Sequence, residues 1–194
     1  MALMKTVVID DLLSKEDHDK YQRTIMAGKW NFIPDMSYAT VPLMFPSMGF
    51  CQMMKHPDRG IESLLYEAVA VPVINVAIKK LDLKITDCVH CRAFLQIPMD
   101  YKFRRKNNGI HIDIPDKHYA CVYYLNDTDG DTIIYEQTLN DVPFGETNIE
   151  LVEHKRVTPK ANRIVIFDGS RYHCSSQPTM NYRAIINYNL IPTE

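Results

Sequence analysis

The sequence predicts an α+β fold that is mainly β: a double-stranded β-helix, or jelly roll, with N-terminal helices packed on one sheet. Three observations predict it. Apolar residues before residue 83 recur largely at helical spacing. After it, eight short runs rich in β-branched and aromatic residues alternate with polar turns. No repeat, linker or low-complexity stretch divides the 194 residues, a length suited to one well-buried domain.

Thr6 to Ile9 is a short β-branched run, and Ser14 caps a helix with Asp17 in its acidic first turn. Tyr21, Ile25 and Met26 give that helix an apolar side, and Gly28 stops it. Prolines 34, 42, 46 and 57 with Gly49 and Gly60 make residues 34–60 irregular. Apolar positions 61, 64, 65, 68, 73, 76 and 77 predict a second helix over 61–81, kinked at Pro72. The strands follow at 88–97, 111–114, 119–125, 132–135, 149–153, 163–167, 173–175 and 182–190. Turns fall at Asn107-Asn108-Gly109, Asp127 to Gly130, Pro143 to Gly145 and Asp168-Gly169.

Composition narrows the setting. A net charge of −2 and a pI near 6.4 give no general attraction to nucleic acid or anionic membrane. The cations Lys102, Arg104, Arg105 and Lys106 are local and make a small phosphate footprint. No apolar run reaches eighteen residues and the start lacks a signal-peptide core, so a cytoplasmic protein is expected. Five scattered cysteines fit reduced thiols. Cys88-Val-His-Cys91 lacks a second pair at zinc-finger spacing.

The chemistry lies in His111-Ile112-Asp113, with His173 and Arg183 downstream. Side chains at i and i+2 of a strand face one way, so His111 and Asp113 point together while Ile112 points out. In a jelly roll the second and seventh strands are neighbours, which brings His173 to the same ion. Two imidazoles and a carboxylate can occupy one face of an octahedral metal and leave three positions for substrates. These donors suit Fe(II), and equally Zn(II), Mn(II) or Ni(II). Arg183 is a permanently charged fork suited to a carboxylate.

The segments HIDIP at 111–115, CVYYLND at 121–127, DGDT at 129–132, VTPKANRIVIFDG at 157–169 and YRAIINYNL at 182–190 together resemble one family. It is the 2-oxoglutarate/Fe(II)-dependent dioxygenase superfamily, and within it the prolyl 4-hydroxylase-like branch. The resemblance covers about 88–190 in order and implies one dioxygenase domain over 1–194, with 1–82 as helical support and 83–194 as jelly-roll core. It implies that His111, Asp113 and His173 ligate Fe(II), and that Arg183 holds the distal carboxylate of 2-oxoglutarate. Tyr124 is similar to a tyrosine, and Thr132 to a threonine, that assist with that carboxylate. Asn187, four beyond Arg183 on the same strand face, is expected to point inward with them. The stretch before His111 is longer and more basic than the family's, leaving Gln96 and Tyr101 both open for its tyrosine role.

The implied reaction is hydroxylation of an unactivated C–H, using O2 and turning 2-oxoglutarate into succinate and carbon dioxide. The implied partner is a prolyl or other residue in a peptide, with a free amino acid or small metabolite as the competitor. Apolar Val122, Ile164 and Ile185 are candidates for the pocket wall or for plain core. Two readings outside the family remain: a cupin-like metal-dependent isomerase that would not need Arg183, and a binding scaffold without metal. The oligomeric state is left open.

Overall fold

The computed structural model describes residues 5–34, 47–103, 106–142 and 150–193. The turn at 143–145, Pro42, Pro46, Arg104 and Arg105 lie outside the described residues.

Eleven strands, β1 (Val7–Ile9), β2 (Asn31–Ile33), β3 (Gly49–His56), β4 (Gly60–Ile61), β5 (Ile85–Gln96), β6 (Tyr119–Tyr124), β7 (Thr132–Thr138), β8 (Glu153–Val157), β9 (Arg163–Asp168), β10 (Arg171–Ser175) and β11 (Arg183–Pro192), form two antiparallel sheets. The larger runs β1-β9-β6-β11-β5-β3-β2, with β4 on β3, and the smaller runs β10-β7-β8. Alternation along each central strand sends side chains to two different cores. On β11, Ala184, Ile186, Tyr188 and Leu190 face one cluster, which Cys121 and Tyr123 of β6 and Ile164 and Ile166 of β9 share. Two helices, α1 (Lys15–Met26) and α2 (Val71–Lys80), cover that cluster with Ile25, Val73, Ile74 and Ala77. The opposite parity, Val122, Tyr124, Val165, Phe167 and Ile185, meets Ile134 and Val157 of the smaller sheet. This is the jelly-roll sandwich with helices on one sheet.

Ser14 caps α1 as expected, its hydroxyl accepting from the Asp17 amide at 3.1 Å. A π-type turn, Tyr66–Ala70, runs directly into α2, and Pro72, which cannot donate to the preceding turn, sits at the junction where the helix widens. The interruption expected at Pro72 is thus a widened turn just before it, inside one continuous helical run.

Five expectations are corrected. The stretch read as irregular, 34–60, contains β3 and the start of β4, whose Ile61 was expected to open the second helix. Residues 1–82 are therefore more than helical support, since β1 to β4 belong to the larger sheet. The strand expected at 149–153 is found at Glu153–Val157, an edge strand whose charged side chains face water. Residues 111–114 form no strand: His111 makes an isolated bridge to His173, and Asp113 lies in a bend. Ile112 does not point out to solvent; it is buried with Ile133, Tyr135, Val142, Tyr172 and Cys174 on the far side of the smaller sheet.

A buried polar knot fastens α1 to the sheet. Tyr123 donates its hydroxyl to Asn162 Oδ1 at 3.0 Å, so the His18 Nδ1 contact at 2.7 Å places the imidazole as donor to Tyr123. Asn162 also accepts from the Leu13 amide and donates to the Leu13 carbonyl, from a left-handed backbone with φ of 64°. Asn162→Ala is expected to cost about 3 kcal/mol, from orphaned partners and a left-handed alanine. A urea midpoint equal to wild type would refute the knot's role. Among the described residues no helix is long and apolar enough to cross a membrane.

Candidate functional site

The site rests on the second face of β5 and β11, where the two strands run in register. Arg183 pairs with Gln96, Ile185 with Phe94, and Asn187 with Arg92. Side chains four residues apart on one face are separated by about 13 Å. Arg183 and Asn187 therefore mark opposite ends of a cavity of about 330 Å³ between the sheets. His111, Asp113 and His173 line one end, and Arg183, Thr132 and Gln96 the other.

At the first end, the backbones of His111 and His173 exchange two hydrogen bonds, each 3.0 Å. Their ring centroids lie 4.6 Å apart. His111 Nδ1 donates to the Gly109 carbonyl at 2.9 Å and His173 Nδ1 to the Arg171 carbonyl at 3.0 Å. Both Nε2 atoms are thereby turned toward Asp113, at 3.6 Å from Oδ1 for His111 and 3.7 Å from Oδ2 for His173. The donor atoms of the three side chains all lie within 4.8 Å of one another. Asn189 donates to Asp113 Oδ2 at 2.8 Å, Asn187 to the same oxygen at 3.3 Å, and Arg92 to Oδ1 at 3.3 Å. Burial alone would raise the Asp113 pKa. The two imidazoles and Arg92 outweigh it and hold the carboxyl well below the usual range, so it is ionised. Burial would lower the His111 pKa, but Asp113 outweighs it and raises it.

At the second end Arg183 is buried, and burial lowers its pKa. Its Nε donates to the Gly130 carbonyl at 2.8 Å, and its terminal nitrogens donate to Gln96 Oε1 at 3.1 Å and Thr132 Oγ1 at 2.9 Å. All three partners are neutral. Tyr124 also donates to Thr132 Oγ1, at 2.7 Å, and its own phenol is pushed up to about 12 by burial. Both lone pairs of the Thr132 hydroxyl are thus taken, and its proton is left to donate into the cavity.

The seven residues singled out from the sequence fall into two groups. His111, Asp113 and His173 converge, and Asn187 stands with them. Arg183 and Thr132 line the other end, and Tyr124 stands behind Thr132, its ring centroid 5.8 Å from the Arg183 Cζ. Of the two candidates for the tyrosine role, Gln96 lines the cavity and Tyr101 is exposed. Val122 and Ile185 line the cavity wall, whereas Ile164 faces the helices. Cys88 and Cys91 are buried free thiols in the helix-covered core.

Arg92 and Asn189 were not anticipated. A parity rule would have found both: Asn189 is two beyond Asn187, and Arg92 is four before Gln96 on the same face. Gly130 is a further contributor, because a Cβ there would stand 2.8 Å from Arg183 Cδ and 3.3 Å from the Ser176 carbonyl. Gly130→Ala is expected to displace the guanidinium and weaken binding of an anion at Arg183 by about tenfold, while metal affinity is unchanged. Calorimetry with 2-oxoglutarate on Mn(II)-loaded protein checks this, and equal affinity would sink it.

No protein-family model matches the chain, and no curated protein matches it. Solved structures do. A 2OG-Fe(II) oxygenase family oxidoreductase from Burkholderia pseudomallei superposes with a TM-score of 0.68 at 10% identity, covering 96% of this chain and 84% of its own. A Pseudomonas putida prolyl-4-hydroxylase gives 0.55 at 17% identity, covering 97% and 93%. A prolyl hydroxylase from Trichoplax adhaerens, in complex with a hypoxia inducible factor oxygen degradation domain peptide fragment, gives 0.56 at 15%, covering 96% and 83%. The chain has the fold of the 2-oxoglutarate/Fe(II) oxygenases, prolyl hydroxylases among them.

Proposed function

We propose that this chain is an Fe(II)- and 2-oxoglutarate-dependent dioxygenase that hydroxylates an unactivated C–H of a prolyl or other residue in a peptide. The observation that carries the reading is Arg183: a buried guanidinium in a cavity, with neutral partners only, facing a metal-capable triad across it. A buried charge whose hydrogen-bond partners are all neutral is costly, so the site is built for an anion. 2-Oxoglutarate has the required form, a distal carboxylate for Arg183 and a keto acid able to chelate an ion at the other end.

The donor set fits the ion. Two Nε2 lone pairs freed by Nδ1 hydrogen bonds and one ionised carboxylate make the 2-His-1-carboxylate face. His111, Asp113 and His173 would hold Fe(II), which when bound supplies the redox chemistry for O2. The overall balance is R–H, O2 and 2-oxoglutarate giving R–OH, succinate and carbon dioxide. Arg183 and the Thr132 proton orient the distal carboxylate, and Gln96 holds the guanidinium in place. Tyr124 fixes the Thr132 rotor, and Val122 and Ile185 keep the wall apolar and exclude water. A cupin-like isomerase would leave Arg183 without a task, and a metal-free scaffold would leave the triad without one. The peptide preference draws on the two prolyl hydroxylases of the same fold, one of them peptide-bound.

Succinate formation by anaerobically Fe(II)-loaded protein, given 2-oxoglutarate and O2, tests the reading without knowledge of the prime substrate. No succinate and no 2-oxoglutarate binding would favour the isomerase or the scaffold.

A further inference from the structure

Arg92 has an unfinished coordination. It lines the cavity beside Asp113 and Asn187, with its Cζ 5.0 Å from the Phe94 ring centroid. One of its nitrogens donates to Asp113 Oδ1 at 3.3 Å, a long contact for a charged pair. Its Nε is buried with no partner. The neighbouring polar atoms share this state: Asn187 Oδ1, Asn189 Oδ1 and both ring nitrogens of His90 are buried and unpartnered. Buried polar atoms are rarely left so, and a cluster of them beside one cavity marks where a ligand or ordered water belongs.

Charge points the same way. Among the described lining residues Asp113 is the single carboxylate, against the two guanidinium groups of Arg92 and Arg183. On the oxygenase reading, neutral imidazoles contribute nothing to the balance. A divalent ion and two arginines then bring four positive charges, and Asp113 with 2-oxoglutarate brings three negative ones. One positive charge remains beyond those that Asp113 and the cosubstrate balance, and Arg92 shares its single carboxylate with the ion. A cavity of about 330 Å³ is small for two bound molecules, so the group that balances it must be compact.

We propose that Arg92 is a substrate-binding residue that takes a carboxylate of the prime substrate, with the ring of Phe94 holding its guanidinium flat for the task. The proposal rests on the oxygenase reading and names the substrate class within it. Two sources supply such a carboxylate: a free amino or organic acid, or an acidic residue next to the target in a peptide.

The test uses full-length protein loaded with Mn(II) and saturated with 2-oxoglutarate, whose binding is first confirmed by calorimetry. Paramagnetic broadening of proton NMR lines then reports which added compounds lie near the ion. The probes are L-proline, L-aspartate and L-glutamate with their carboxamides, and N-acetylated Pro-containing tripeptide amides with and without an adjacent aspartate. At least one carboxylate is expected to be broadened at least about tenfold more than its uncharged counterpart. Broadening of free acids alone, or of the acidic peptide alone, identifies the source. Arg92→Gln, which keeps a donor toward Asp113, is expected to abolish the preference, and Arg92→Lys to retain part of it.

No broadening of any carboxylate, equal broadening of acid and amide, or an acid that acts only by displacing 2-oxoglutarate would each overturn the proposal. So would an Arg92→Gln variant that keeps the preference. If Arg92→Gln instead loses Mn(II) and 2-oxoglutarate, Arg92 serves only to hold Asp113, and the proposal falls. Failure of wild type to bind 2-oxoglutarate at the calorimetric stage sinks the oxygenase reading itself, and is seen before any probe is added.

Discussion

Asp113→Ala is expected to lower metal affinity by more than about 100-fold, because loss of a residue that merely orients a ligand already costs ten- to a hundredfold. The same change should weaken the metal-free fold. Asp113 accepts from Arg92, Asn187 and Asn189, so its removal strands one part-buried cation and two amide donors. Breaking a buried charge pair from one side costs about 3–5 kcal/mol. Asp113→Asn separates the two effects. It keeps the shape and one acceptor, so it should lose the metal nearly as badly while retaining more of the stability. Titration with Mn(II) and urea unfolding in chelator measure the pair of quantities. An alanine variant with wild-type Mn(II) affinity would remove Asp113 from the metal site.

Arg183→Ala is expected to raise the 2-oxoglutarate Kd on the order of 10²- to 10³-fold, since truncating one side of a desolvated, hydrogen-bonded charge pair costs about 2–5 kcal/mol. Succinate formation should return at high 2-oxoglutarate, as the triad is untouched. Arg183→Lys keeps the charge but not the fork, and its affinity should fall between the two. A 2-oxo acid without the distal carboxylate supplies the control. Wild type should bind it far more weakly than 2-oxoglutarate, and Arg183→Ala should bind both alike. An unchanged Kd in Arg183→Ala would place the cosubstrate elsewhere.

Much of the site was legible because it obeys the simplest rule of β-structure. Arg183 and Asn187 share a parity on β11, and both face the cavity. His111 and Asp113 also converge, although the segment is no strand. One backbone bridge at His111 sets its direction, and the bend after Ile112 turns Asp113 back beside it. The same segment shows where the rule fails: with no sheet behind it, Ile112 is free to bury in a third cluster instead of facing water.

What was illegible has physical causes. β3 has buried residues on both faces, at Gly49, Cys51, Gln52 and Met54, so it shows no alternation. β8 reads as Glu-His-Lys-Arg-Val because it is an edge strand. Arg92 stands in a run of cysteine, alanine, phenylalanine and leucine, where composition suggests core and only the pairing with Asn187 shows a charged face. Tyr124 shares the inward parity of β6, but its hydroxyl is spent on Thr132, which lines the cavity in its place.

The two reciprocal backbone bonds between His111 and His173 fix when the site's disorder is removed. Both imidazoles lose their freedom as the chain folds, not as the ion arrives, so most of the ordering entropy belongs to folding. The metal-free protein therefore keeps a finished two-nitrogen seat, and chelators should strip the ion without unfolding the chain. A rigid seat of nitrogen and oxygen donors also discriminates little among divalent ions, whose intrinsic order favours copper, nickel and zinc over iron. On the proposed reading, the metal in the triad would then be decided by the supply met after folding, and a wrongly metallated population is the expected product of growth in zinc- or nickel-rich medium.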